Sequence, residues 1–222
     1  MIEDYFQKGA ILTGYDFKDT RGAPLAEVSS GVMDGNMTIT KTKIVSIYWG
    51  LSSKIEKTVN VVNFRLLPYA QGAINYCELM GRDVISAYFS GCIMARYKRD
   101  GAWRVCHVST GDPNDCKDKW EQIKAEDGVT DVSEFKPHEN VDGGDKILGL
   151  VTSTGDCFAI GCSAVDVDVP ETRSVEQILI DEAASFRKEL TKEERLGLAK
   201  AMAATVKKVK GLEIKSCNAI HF

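Results

Sequence analysis

The sequence predicts an α+β fold with a mostly antiparallel sheet and a helical C-terminal segment. Within about 37–169, several runs alternate β-branched and polar side chains and are separated by turn-forming stretches. This pattern is typical of antiparallel strands. From Pro170 the composition shifts to helix formers, and this favours helices over about 170–210. The length of 222 residues suits one large domain or two small ones, and we expect a single domain spanning 1–222.

The first third of the chain is predicted to form strands after an irregular start. Residues 1–35 mix short apolar pieces with turn formers and indicate loops. The runs MTITKTKIVSIYWG from Met37 and TVNVVNFRLLPY from Thr58 predict two strands, the second ended by Pro68. We expect a short helix over Ala70–Met80.

The middle of the chain is predicted to contain two hairpins separated by a polar excursion. Arg82–Tyr97 is a long β-prone run, followed by the turn signal Lys-Arg-Asp-Gly and a second run, AWRVCHVST. Residues 112–145 are polar and predict a long excursion with a short helix near Lys117–Lys124. The second hairpin, KILGLVTSTGDCFAIGCSAV, is expected to turn at Thr154–Asp156.

The C-terminal segment is predicted to hold two helices and a final strand. The second helix begins at Thr191, where Thr-Lys-Glu-Glu forms a capping box, and it ends before Gly211. We interpret the basic run at 207–210 as the C-terminal end of this helix, where the helix dipole favours positive charge. The sequence LEIKSCNAIHF then predicts a last strand.

Composition disfavours several classes of function. The net charge of −4 gives no global footprint for nucleic-acid binding. We expect no membrane association, since no apolar run approaches the roughly 18 residues of a membrane helix, and the N-terminus lacks the apolar region of a Sec signal. Seven cysteines at irregular spacing indicate reduced thiols in a cytosol-like compartment, and their spacing does not match structural zinc.

The stretch FSGCIMARYKRDGAWRVCHVSTG places a thiol and an imidazole on the two strands of the first hairpin. If Lys98–Gly101 form the loop, Cys92 lies directly opposite His107, with Cβ atoms about 4.5–5.5 Å apart. A two-residue turn at Asp100–Gly101 makes them diagonal neighbours on the same face, and only a three-residue loop separates them. In both favoured cases Cys106 lies on the opposite face.

A thiol beside an imidazole is the combination required for nucleophilic acyl transfer. The imidazole lowers the pKa of the thiol and acts as general base, so Cys92 and His107 are the candidate catalytic pair. Gly91 leaves room for a substrate near the backbone N–H of Cys92, which is the candidate oxyanion donor. We expect a surface-facing His107, and a rate that rises over roughly pH 6 to 8. No metal or cofactor is needed.

The segment Tyr88-Phe89-Ser90-Gly91-Cys92, with His107 on the next strand, resembles the signature of the cytotoxic-necrotizing-factor-type glutamine deamidases. That group includes the Burkholderia lethal factor and, more distantly, the bacterial chemoreceptor deamidases. The resemblance covers about 25 residues and implies Ser90 and Gly91 as the residues that shape the site around Cys92. In some members a threonine six positions before the cysteine orients the histidine, which implies Ser86 here; in others a backbone carbonyl does so.

What the resemblance implies is hydrolysis of a glutamine side-chain amide in a partner protein, on a β-sandwich with flanking helices. Relatives in the toxin branch act on host regulatory proteins, so a bacterial effector or toxin delivered into a host cell is one expectation. Two alternatives stay open at this point. The same pair of side chains suits a cysteine protease or a transglutaminase-like acyltransferase, and a non-catalytic interaction protein would hold Cys92 inert in its core.

Overall fold

A computed structural model describes residues 1–14, 28–30, 33–46, 53–111, 116–170 and 206–222. The chain divides into two compact units, one formed by 1–165 with 211–222 and the other by 166–210. In the described part of the second unit, Lys210 Nζ lies 2.6 Å from Asp166 Oδ1.

The described residues form twelve strands, one α-helix and two short 3₁₀-helices. The strands are β1 Ile11–Thr13, β2 Val28–Ser30, β3 Met33–Ser46, β4 Ser53–Leu66, β5 Ile74–Glu78, β6 Val84–Ala87, β7 Ile93–Arg99, β8 Ala102–Val108, β9 Val129–Phe135, β10 Lys146–Val151, β11 Cys157–Pro170 and β12 Val206–Ile220. The helices are α1 Lys117–Lys124 and the 3₁₀-helices Ile2–Tyr5 and Pro137–Glu139.

Seven strands close into a barrel in the order β1-β12-β11-β10-β6-β4-β3. The strand pairs β1–β3, β1–β12, β3–β4, β6–β10 and β10–β11 are antiparallel, whereas β6 runs parallel to β4. Alternate residues point inwards, so Ile85 and Ala87 of β6 join the apolar core of the barrel. The intervening residues Val84 and Ser86 therefore face outwards.

The other five strands form a sheet in the order β2-β5-β8-β7-β9. At its centre is the β7–β8 hairpin, joined by a two-residue turn at Asp100 and Gly101, whose φ angles are +52° and +82°. Both turn residues lie in the left-handed region that an Asp-Gly turn of this type requires, and glycine adopts it without steric cost.

Two apolar layers cover the two faces of this sheet. One face packs on outward-facing residues of the barrel wall, so that Cys92, Met94 and Val105 share a cluster with Leu67 and Val84. The other face packs on α1, where Trp120 and Ile123 are buried. The β7–β8 hairpin therefore lies between the barrel and the helix.

The predicted α+β sandwich with flanking helices is wrong. The described residues are mostly β, with a closed seven-stranded barrel. The alternation of apolar side chains reports which face of a strand is buried, but it does not report which strands pair. Closure depends on β1, a three-residue strand within the segment predicted to be irregular, which pairs with both β3 and β12.

The helical predictions have different outcomes. The helix at Lys117–Lys124 is confirmed, whereas the helix expected over Ala70–Met80 is wrong because Ile74–Glu78 is β5. Of the helical segment predicted over about 170–210, residues 171–205 lie outside the described residues. Residues 206–210 belong to β12, so the helix end placed at 207–210 is wrong, and the final strand is confirmed.

The strand predicted over Arg82–Tyr97 is interrupted. Its first part is β6 in the barrel and its last part is β7 in the sheet, so the chain changes layers between Ala87 and Ile93. The segment that crosses between layers contains Cys92. In the part of the chain that the structure describes, no helix is long and apolar enough to cross a membrane.

Candidate active site

The register of the hairpin determines how Cys92 and His107 are related. Met94 is the direct cross-strand partner of His107, and Ile93 is that of Val108. Cys92 is two positions before Met94, so it is the diagonal neighbour of His107 on the same face. The directly opposite placement is therefore wrong, and the alternative with a two-residue turn is the one observed. Diagonal neighbours are about 7–8 Å apart at Cα and closer at Cβ.

Ser86 and His107 are joined across the space between the barrel and the sheet. Ser86 Oγ lies 2.7 Å from the Nδ1 atom of His107 and 2.7 Å from the backbone oxygen of Leu67. A carbonyl oxygen only accepts hydrogen bonds, so the single hydroxyl proton of Ser86 is donated to Leu67. Ser86 Oγ then accepts from His107, and the ring proton of a neutral His107 is therefore on Nδ1.

This tautomer leaves Nε2 of His107 with a lone pair. The Nε2 atom is buried and has no hydrogen-bond partner among the described residues. A buried acceptor without a partner carries an energetic cost of about 1–3 kcal/mol, so a stable core has no use for it. A nitrogen lone pair held in this way can accept a hydrogen bond from a thiol or a bound ligand.

His107 is not surface-facing, contrary to expectation. Its exposed fraction is 1%, and that of Cys92 is 5%. Burial lowers the pKa of His107 to about 3, because no charged group beside it compensates the imidazolium for lost water. The expected rise in rate over pH 6 to 8 therefore cannot come from His107 titration in this closed form, since the ring is neutral throughout that range.

Two aromatic side chains contact the imidazole, and a third contacts one of them. Phe89 stacks on His107 with ring centroids 4.1 Å apart and planes 8° apart, and Tyr69 lies at 5.1 Å in a tilted arrangement. Tyr88 contacts Tyr69 and is 39% exposed. The backbone φ of Tyr88 is +68°, a strained value for a residue with a side chain. A substrate can reach the pair only if this cover moves.

The two site-shaping residues lie in the segment between the layers. Ser90 is exposed and Gly91 is half-buried. The hydroxyl of Thr110 donates to the backbone oxygen of Gly91 at 2.7 Å, which ties this segment to the end of β8. A Cβ on Gly91 would lie 3.6 Å from Thr110 Oγ1, an ordinary contact, so internal packing does not require glycine there.

The remaining cysteines provide a background of buried thiols. Burial raises the pKa of Cys77, Cys157 and Cys217 to about 11 and that of Cys162 to about 12. Burial also raises the pKa of Cys106 far above its ordinary value, and this residue lies on the opposite face, as expected. Among the described residues, no group of three or more His, Cys, Asp or Glu could hold a metal ion.

Sequence reasoning missed two neighbours of the imidazole, Asn75 and Tyr69. Asn75 lies on β5 as the direct cross-strand partner of His107, on the side away from β7. It was missed because the surrounding residues were predicted to be helical, although INYC alternates apolar and polar side chains as a strand does. A surface pocket of about 320 Å³ lies elsewhere, lined in part by Ile93, Phe135 and Phe222.

No family model, no curated protein and no solved structure matches this chain.

Proposed function

We propose that this protein is a cysteine-dependent protein glutamine deamidase, which hydrolyses a glutamine side-chain amide to glutamate and releases ammonia. The observation that carries the proposal is the 2.7 Å hydrogen bond between Ser86 and Nδ1 of His107, which leaves Nε2 as an available base on the face of Cys92. The Ser-Gly-Cys motif and its resemblance to the necrotizing-factor-type deamidases support the choice of a glutamine amide.

The reaction needs a nucleophile, one base and one oxyanion donor. Once the aromatic cover has moved and the imidazole is no longer sealed from water, Nε2 of His107 takes the thiol proton, and the sulfur of Cys92 attacks the amide carbon to form a tetrahedral intermediate. The backbone N–H of Cys92 stabilises the oxyanion. His107 returns the proton to the nitrogen, the C–N bond breaks, and ammonia leaves a thioester on Cys92.

The second half of the reaction uses the same base. His107 takes a proton from a water molecule, whose oxygen attacks the thioester carbon, and the C–S bond breaks. The proton returns to sulfur, and the product is glutamate. One amide and one water are consumed, and one carboxylic acid and one ammonia are formed, so the free enzyme is regenerated without a cofactor or metal.

The substrate in this proposal is a glutamine in another protein. Relatives in the toxin branch act on host regulatory proteins. The proposal therefore extends to a role as a bacterial effector that acts in the reducing interior of a host cell. Seven cysteines without a disulfide among those described are compatible with such a compartment.

The proposal is tested by proteome-wide mass spectrometry. A eukaryotic cell lysate is incubated with the wild-type protein, with Cys92→Ala and with Cys106→Ala. We expect conversion of glutamine to glutamate at specific sites with the wild-type protein and with Cys106→Ala. With Cys92→Ala the rate should fall by roughly 10⁴-fold or more, because the nucleophile is absent. Cys106 is the matched control, since it is a buried thiol on the same hairpin.

The other outcomes identify the competing functions. New peptide termini that depend on Cys92 would indicate a protease, and Cys92-dependent cross-links would indicate an acyltransferase. If Cys92→Ala and the wild-type protein give the same peptides, the deamidase proposal is wrong and Cys92 is a core residue of an interaction protein.

A further inference from the structure

Asn75 is positioned next to His107 on the face where the proposed chemistry takes place. The two are direct cross-strand partners of β5 and β8, so their side chains point to the same side with Cβ atoms about 4.5–5.5 Å apart. Asn75 is 4% exposed. His107 thus has Asn75 on one side and Met94 on the other, and of these two only Asn75 is polar.

The orientation of the Asn75 amide follows from its hydrogen bond to Pro68. Nδ2 donates to the backbone oxygen of Pro68 at 3.0 Å. That oxygen can only accept, so the amide nitrogen must face it, and Oδ1 is directed elsewhere. The neighbouring backbone oxygen, that of Leu67, accepts from Ser86. Two successive carbonyls therefore fix the two polar side chains that accompany His107.

The Oδ1 atom of Asn75 is buried and has no hydrogen-bond partner among the described residues, as is also true of Nε2 of His107. Both atoms are acceptors, and they belong to adjacent side chains on one face. A buried polar atom without a partner costs free energy in the absence of a ligand. Two neighbouring acceptors are complementary to a group that carries hydrogens on one nitrogen, which describes a primary carboxamide.

We infer that Asn75 is a specificity-determining residue, whose Oδ1 accepts a hydrogen bond from an N–H of the substrate's primary carboxamide. Nε2 of His107 faces the same carboxamide nitrogen and exchanges a proton with it. This inference rests on the proposed deamidase function. In the tetrahedral intermediate, Asn75 holds the leaving nitrogen by one N–H, and His107 protonates its lone pair. The C–N bond then breaks, and ammonia leaves with its electron pair.

The arrangement discriminates against three related groups. The nitrogen of a peptide bond or an N-methylamide carries one hydrogen, and its carbon substituent competes for the space beside Asn75. An ester has no N–H to donate. The product carboxylate presents lone pairs to both acceptors, so it is bound less well than the amide and is released.

The test compares the leaving groups directly. The substrate protein identified by mass spectrometry is assembled by peptide ligation with glutamine, its side-chain N-methylamide or glutamate γ-methyl ester at the target position. Hydrolysis of each is measured with the wild-type protein, with Asn75→Leu and with Met94→Leu. Met94 is the matched control because it is fully buried and flanks His107 from β7. Its side chain has no strong hydrogen-bond acceptor.

We expect Asn75→Leu to lower kcat/KM for the primary amide by about 10²-fold and for the ester by no more than about threefold. Met94→Leu should lower both by a similar small factor. The wild-type protein alone should hydrolyse the primary amide at least about 10²-fold faster than the N-methylamide, and this measurement needs no variant to fold.

The outcomes separate this inference from the proposal beneath it. If the wild-type protein hydrolyses none of the three substrates in a Cys92-dependent manner, the deamidase function itself fails. If it hydrolyses the amide but Asn75→Leu slows amide and ester equally, the deamidase stands and the role of Asn75 is wrong. An N-methylamide that reacts nearly as fast as the amide also overturns the role of Asn75.

Discussion

The two faces of the sheet around the β7–β8 hairpin both pack on apolar clusters, but they differ in what burial leaves unpaired. On the face toward α1, Cys106 packs in an apolar cluster, and the indole N–H of Trp120 donates to Glu134 at 2.6 Å. On the face toward the barrel, the acceptor atoms of His107 and Asn75 have no partner among the described residues. The face toward α1 also holds one buried donor without a partner among the described residues, Nε of Arg104, so the two faces differ in the unpaired acceptors that lie on the side of Cys92.

This difference teaches how a functional face can be recognised without homologues. A face selected for stability alone would pair its buried polar atoms or replace them with apolar groups, because an orphaned acceptor is costly. Between the sheet and the barrel wall, the surroundings of Cys92 retain the polar side chains of Ser86, His107 and Asn75, and each of them is hydrogen-bonded to a neighbour. Such an arrangement lowers the stability of the fold while it fixes the orientation of these side chains, and a binding or catalytic role explains why it is present.

The largest expected difference between the two faces is that His107 makes the free energy of unfolding sensitive to acid. Its folded pKa of about 3 is below the ordinary value of 6.5, so the unfolded chain binds more protons between these limits. The resulting stability is fully present above about pH 6.5 and is lost as the pH falls toward 3. From pH 7 to pH 4 the wild-type protein should lose about 3 kcal/mol of unfolding free energy through this group.

Urea unfolding at both pH values measures this effect, with His107→Gln for comparison. His107→Gln should lose about 3 kcal/mol less than the wild-type protein over the same interval, because glutamine does not titrate. Surface carboxylates are the same in both proteins and cancel in the comparison. Identical acid sensitivity in His107→Gln would mean that the imidazole is not sealed in the folded state.

A second effect, on activity, is expected from Ser86. Removing its hydroxyl in Ser86→Ala frees the ring of His107 from its fixed tautomer and leaves the Leu67 carbonyl unpaired. We expect kcat to fall by about 10²-fold, the lower part of the range for general acid–base catalysis. Ser86→Thr keeps a hydroxyl and should recover activity to within about tenfold of the wild-type protein.

Nitrogen NMR of His107 separates orientation from general destabilisation. The wild-type ring should be protonated on Nδ1 at neutral pH, and Ser86→Ala should show a mixture of the two tautomers. A variant that keeps both the tautomer and the activity would remove Ser86 from the proposed site.

The sequence was informative about local structure and much less so about the fold. The β7–β8 hairpin and α1 follow from turn chemistry and periodicity, which act over a few residues. The barrel was not predicted, because its closure requires pairing of Ile11–Thr13 with strands distant in sequence. The passage of the chain from the barrel to the five-stranded sheet between Ala87 and Ile93 was likewise not predicted, because the segments on both sides of it are β-prone.

For the candidate site, the alternation of side chains along the hairpin predicted which residues lie on the same face, but it did not predict how deeply they are buried. Period-two alternation placed Cys92 and His107 on one face, and Cys106 on the other, whichever even-numbered loop was assumed. The burial of His107 could not be predicted, because it depends on the barrel wall and on the ring of Phe89. Asn75 was missed for a related reason, since its contact with His107 joins strands that are not neighbours in sequence.

The smallest expected effect concerns the aromatic cover and the thiol beneath it. Replacing Phe89 with leucine removes a stacked ring contact of about 1 kcal/mol over His107, so the uncovered form should become about fivefold more populated. Iodoacetamide should then modify Cys92 about fivefold faster at neutral pH, as read by mass spectrometry of the labelled peptide. Cys106, in the same protein and on the face toward α1, should react at an unchanged slow rate. If Cys92 reacts no faster than Cys106 in either protein, the two faces are equally inert and the unpaired atoms beside Cys92 do not mark a reactive site.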